Sequence, residues 1–284
     1  KFIEYDEGYR RIRHSSPQTI VNEINRAKTK QPHISTINFQ DDSFLALPFQ
    51  QLEEFAKLYK EKVKIPFVVG GVIPNYVRED KIALLVDAGM NRVRMGIQSG
   101  SDNILQFYKR PTKLHRIKEA TEILNKFDKY MIPPSYDIIL ENPVEKTEDT
   151  RATVDMIYEM PRPYTLNVYA LRVIPNTIMA KQIEDRGLKV PPIDKNYYVD
   201  YRRTMGNILV FVLTIWKIPR WLYKILRKKV YPVQDKQPSY PILFWIVRMI
   251  YLAKRAFNHL RFMDFSLLPG KIGHIFWKSG IISF

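Results

Sequence analysis

The sequence predicts an α/β fold, a set of parallel βα units followed by a basic helical extension. Three observations carry this. Five short segments rich in β-branched and aromatic residues recur within residues 1–188, and each is followed by a helical pattern. Charge is unevenly placed: residues 189–284 hold 17 Lys and Arg against 4 Asp and Glu, so +13 of the chain's net +16 lies there. All four tryptophans (216, 221, 245 and 277) fall in that same region. At 284 residues the chain can bury one sizeable core, or a barrel-type domain plus an extension.

The elements follow in order. "SPQTIVNEINRAK" offers Ser16 as N-cap and Pro17 at the first helical position. Residues 34–39 read as the first strand, and in the helix after it Leu52, Phe55 and Tyr59 share a face. The second strand covers 65–71, and its helix, "REDKIALLVDAG", stops at Gly89. The third strand covers 91–97 and runs directly into the polar cluster Gln98, Ser99, Gly100, Ser101 and Asp102. Leu114, Ile117, Thr121 and Leu124 then keep helical register. The fourth strand covers 134–140; the helix after it has Thr147 as cap and Glu148 and Asp149 in its first turn, where the helix dipole favours anions. The fifth strand covers 164–171. Units of this length suit a βα barrel or an open doubly wound sheet, and both gather chemistry at the C-terminal ends of the strands.

Composition removes some functions. With no cysteine, the chain forms no disulfide and no thiolate metal site of its own. Its five histidines (14, 33, 115, 259 and 274) show no ligand spacing. It begins at Lys1, without a signal-peptide pattern.

Taken together, the strand ends resemble those of the radical S-adenosylmethionine (radical SAM) enzymes. The likeness is to the branch that often carries an N-terminal cobalamin-binding domain. It rests on "YRRIRHSSPQTIVNEI", "INFQDDSF", "LLVDAGMNRVRMGIQSGSDNILQFYKR" and "ENPVEKTEDTRATVDMI", spread over residues 9–188. The resemblance implies a partial (β/α) TIM-like barrel over 1–188, with residues 189–284 as a basic, aromatic-rich helical extension. It implies that Asp41 and Asp42 hold the amino group of SAM, that Gln98 and Ser99 contact its ribose and carboxylate, and that Gly96 and Gly100 let the backbone approach it. Val173 and Ile174 are expected to pack on adenine or in the core. The family's glycine-containing run after the fourth strand is here Glu141-Asn142-Pro143-Val144-Glu145-Lys146-Thr147, without glycine, and Asn176 stands where the fifth strand's loop usually has one.

The family's reductive cleavage of SAM needs a four-iron–four-sulfur cluster on a C-x-x-x-C-x-x-C loop. That loop is expected upstream of Lys1, in a chain that has lost its N-terminus, so no catalytic residue is assigned here. The implied partners are a reductase or flavodoxin-type electron donor and, where a cobalamin domain precedes the barrel, cobalamin for methyl transfer.

Residues 207–231 and 240–262 mix long apolar runs with Lys and Arg. The uncharged runs fall short of the ~20 residues a spanning helix needs, so these segments are expected to lie in an anionic membrane interface. A lipid-like or other hydrophobic small-molecule substrate, and a cytoplasmic enzyme peripheral on the inner face of the membrane, follow. Three alternatives stay open: the helices pack on the barrel; the chain is a degenerate, non-catalytic barrel acting as a membrane-associated binding module; or the enzyme modifies tRNA, although residues 208–216 are too apolar for a phosphate-binding face.

Overall fold

Ser16 starts the first helix as its side chain predicts, its hydroxyl accepting the Thr19 amide at 3.2 Å. The computed structural model describes residues 14–41, 44–110, 112–188 and 202–264. In chain order the elements are α1 (Pro17–Lys30), β1 (Ile37–Phe39), α2 (Phe49–Lys62), β2 (Phe67–Val72), α3 (Glu79–Asp87), β3 (Met90–Gln98), α4 (Asp102–Phe107), α5 (Leu114–Asn125), β4 (Ser135–Leu140), α6 (Thr147–Glu159), β5 (Thr165–Ala170) and α7 (Ile178–Glu184). The extension adds α8 (Met205–Ile215), α9 (Arg220–Arg227) and α10 (Pro241–Arg261). All five expected strands form. Thr147 is the first residue of α6 rather than its cap, and the Asp149 carboxylate accepts the Lys146 amide at 3.0 Å.

The strands lie in the order β1-β2-β3-β4-β5, every pair parallel, so the sheet is open and singly wound. Its two faces differ. Val93, Met95 and Ile97 of β3, Tyr136 and Ile138 of β4, and Leu166 and Val168 of β5 are buried in the main core. The alternate residues Arg92, Arg94, Gly96 and Gln98 are only partly covered. A parallel sheet covered on both faces reads as continuous apolar strands, whereas this one alternates. Its second face is polar and open, the inner wall of a partial TIM-like barrel.

The extension corrects one expectation. Residues 208–211, 213 and 215 of α8 are buried, and α8 packs against α6, β5 and α10 as part of the same core as the sheet. Its apolar run is core rather than membrane surface. Phe211 meets Phe244 and Tyr251 of α10 at ring-centre distances of 5.9 and 5.1 Å. From α6, Asp155 accepts from Nε and Nη2 of Arg227 and from the Tyr223 hydroxyl, each at 2.5 Å, and the Tyr158 and Tyr223 rings stack 4.0 Å apart. Tyr251 donates to the Leu166 carbonyl of β5 at 2.5 Å, on the edge that β4 leaves unpaired.

Candidate functional site

The C-terminal rim of the sheet gathers several residues in left-handed backbone. Gly71 at the end of β2 has φ 69°, Gln98 at the end of β3 has φ 73°, Glu141 after β4 has φ 56°, and Asn176 after β5 has φ 62°. These include three of the six non-glycine residues with positive φ among the described residues. Left-handed backbone at bulky residues costs about 1 kcal/mol or more each, and such strain clusters at ligand sites.

Neighbouring groups crowd or hold parts of this rim. The Gln98 side chain folds back over Gly96, and a Cβ on Gly96 would stand 2.7 Å from its Nε2. Gly70 serves Gln40 in the same way, with Oε1 of Gln40 at 3.2 Å from the Cβ position. Two glutamine amides thus lie across two strand glycines on the open face. Glu141 keeps its conformation without glycine: its Oε1 accepts the Asn207 side-chain amide at 2.8 Å and the Arg202 backbone amide at 3.1 Å, both from the extension. Asn176 keeps the turn after β5, as its tolerance of left-handed backbone predicts.

Lower on the open face lies a polar lattice that was not singled out in the sequence. Arg94 Nε donates to both oxygens of Asp137 at 2.9 Å, and Nη2 donates to the Tyr169 hydroxyl at 2.7 Å. Asn167 donates to Asp137 at 2.9 Å and accepts from Arg255 of α10 at 3.0 Å. The hydrogen bond to Asp137 raises the Arg94 pKa above its ordinary value, so the guanidinium keeps its charge. The period-two spacing of Arg92, Arg94, Gly96 and Gln98, and of Ser135 and Asp137, was the available signal.

A radical SAM superfamily model matches residues 2–157, more than half of the chain. The chain belongs to the radical SAM superfamily. Two curated relatives are the heme chaperone HemW of Bacillus subtilis, 23% identical over 184 residues, and anaerobic coproporphyrinogen III oxidase 1 of Cereibacter sphaeroides, 24% identical over 152. The alignments cover 62% and 54% of this chain but 46% and 31% of those proteins, so the chain spans less than half their length. Among solved structures, the cobalamin-dependent SAM radical enzyme OxsB in its apo form superposes with a TM-score of 0.56 at 12% identity, covering 93% of this chain and 53% of OxsB. That similarity shows a shared fold.

In a radical SAM chain the expected ligand-facing residues divide. Asp41 is exposed at the end of β1, whereas Asp42 lies outside the described residues. Gln98 stands on the open face. Ser99 turns away: it is fully buried, its hydroxyl 3.1 Å from that of Thr153 and accepting the Ser101 amide at 3.1 Å. The side chain of Ser99 therefore shapes the turn. Gly100 does not open the backbone to a ligand either; a Cβ there would sit 2.7 Å from the Ala152 carbonyl oxygen and the Thr153 Cα of α6. Gly96 makes room for Gln98. Val173 is buried in a small cluster with Ile104, Phe107 and Ile183, whereas Ile174 is 65% exposed.

The family's iron–sulfur cluster does not fit the residues present. The chain has no cysteine, and among the described residues no group of three His, Asp or Glu is placed to hold a metal ion. The rim does suit SAM, which offers an ammonium, a carboxylate and a ribose to the amides and carboxylates there.

Proposed function

We propose that this chain supplies the SAM-binding rim of a radical SAM enzyme, with cluster thiolates coming from outside residues 1–284. Gln98 carries the reading: a glutamine held left-handed, its amide laid over a strand glycine on the open face of a polar sheet, has a geometry a plain turn does not need. In this reading Gln98 hydrogen-bonds the ribose or carboxylate of SAM, and Asp41 with Asp42 accepts the ammonium. Ile174 covers adenine, and Arg94 and Asp137 fix the floor below. Bound SAM supplies a methyl or 5′-deoxyadenosyl group. An electron donor of the flavodoxin or reductase type, cobalamin, and methyl transfer to a hydrophobic or lipid-like substrate complete the assignment. The enzyme would work on the cytoplasmic side, at the inner face of the membrane.

Equilibrium dialysis of the chain with labelled SAM tests this. Saturable binding is expected, weakened about tenfold or more by Gln98→Ala through loss of a hydrogen bond to a charged ligand, and unchanged by Lys60→Ala at the N-terminal end of the sheet, away from the rim. Binding that Gln98→Ala leaves untouched would remove the rim from the reading. A non-catalytic barrel keeps the SAM binding, and is distinguished by absence of SAM cleavage once a reduced cluster-bearing segment is supplied.

A further inference from the structure

Helix α10 is apolar around most of its circumference, an arrangement normal for a buried helix. One side is indeed buried: Phe244, Val247 and Tyr251 pack into the core. The other side is open. Ile242, Ile246, Met249, Ala253, Phe257 and Leu260 follow helical spacing along it and are all exposed, Ile246 by 54% and Phe257 by 65%. No charged residue interrupts this stripe, which runs ~27 Å at 1.5 Å per residue. The helix's cations point elsewhere: Arg248 lies 4.8 Å over the Phe211 ring, Lys254 donates to the Ile215 carbonyl at 2.8 Å, and Arg255 reaches Asn167.

The stripe has a basic surround. Arg203 sits 6.0 Å over the Trp245 ring at one end, and Arg261 lies at the other. The Lys254 bonds bring the corner with exposed Trp216 and Lys217 beside the middle of α10. Residues 202–264 contain 13 Lys and Arg against Asp235 and Asp264; Asp264 is buried beside Arg92 and His259, while Arg220 and Arg227 pair with Glu159 and Asp155 of α6. No described helix is long and apolar enough to cross a membrane.

We propose that the outward stripe of α10 inserts side-on into the surface of an anionic phospholipid bilayer, with the flanking Lys and Arg on its headgroups. Apolar residues at the acyl boundary and cations at the headgroups together give interfacial binding, and each contributes separately. A second copy of the chain fits less well, because pairing the stripes would bring two strongly basic rims together. RNA fits less well because the stripe offers no donor to a phosphate. This inference deepens the membrane partner named above and stands on α10 and the basic residues beside it, independent of the SAM rim.

Flotation with vesicles of phosphatidylcholine, with and without phosphatidylglycerol, tests it on the full chain. Binding is expected to the vesicles containing phosphatidylglycerol, to fall as salt rises, and to weaken at least about tenfold in the double variant Ile246→Glu with Phe257→Glu. Both positions are exposed, so the melting temperature and SAM binding of that variant should match the parent. Three results would overturn the proposal: no binding to either vesicle, equal binding to both, or binding that the double variant retains. A concentration-dependent dimer split by the same substitutions would also overturn it and assign the stripe to a second copy.

Discussion

Gly96 and Gly100 stand four residues apart and do different work. A methyl at Gly96 meets only the far end of the Gln98 side chain, which can swing aside. Gly96→Ala should therefore fold with near-parent stability while losing SAM affinity to the same degree as Gln98→Ala. At Gly100 the methyl meets the backbone of α6, which cannot yield cheaply, so Gly100→Ala should cost about 1–3 kcal/mol in urea unfolding. Equal stability losses in the two variants would contradict this division. Glu145 gives a second residue-level expectation. It is buried, with one carboxylate oxygen accepting from Thr150 at 3.4 Å and the other without a partner in the described structure. Burial, opposed by the Thr150 bond and aided by Asp149, pushes its pKa up to about 8. The folded state then binds this proton more tightly than the unfolded chain, whose pKa is near 4.5. Its contribution to stability is complete below that value and falls as pH rises toward 8. Glu145→Gln should be more stable than the parent at pH 8, by a margin that narrows toward pH 5, as thermal melts at the two pH values would show.

At the level of elements, the clasp between α6 and α9 is the joint most open to test. Burial works against the ionised Asp155, but the bonds from Arg227 and Tyr223 outweigh it and hold its pKa below the usual carboxylate value. Asp155→Ala should cost about 1–2 kcal/mol, discounted for the pair's partial exposure, and hydrogen exchange should quicken over residues 220–227 more than over β3. Uniform exchange would mean that α9 is held by its packing alone. The strands and most helices were legible in the sequence because their periodicity and end signals act locally: Ser16 caps α1 and Gly89 ends the α3 turn whatever surrounds them. Helix α8 was not, because a helix apolar on every side reads alike whether a core or a lipid surface covers it. The position of Gln98 at the end of the third strand was legible. Gly100 and Ser99 were not, because only tertiary packing decides whether a turn residue faces a ligand or the next helix. The Arg94–Asp137–Asn167 lattice went unseen for a related reason: its members are far apart in sequence and meet only through strand register.

For the whole molecule, the membrane proposal carries a geometric demand. The stripe on α10 and the SAM rim must be usable together, so vesicle-bound chain should take up SAM as well as free chain does, and a dialysis measurement with and without vesicles would check this. The extension bears on the site as well. Asn207 and Arg202 hold Glu141 in its left-handed conformation, so Asn207→Ala should lower SAM affinity from a distance while sparing the strands. The seal that Tyr251 places on β5 has one more consequence. With the Leu166 carbonyl taken, that side of the sheet resembles a ribbon with one selvedge partly hemmed, whereas the outer border of Ile37–Phe39 pairs with no other described strand. A segment stitched on at β1 would continue this wall next to Gln40 and Asp41, at the end of the rim assigned to the ammonium of SAM.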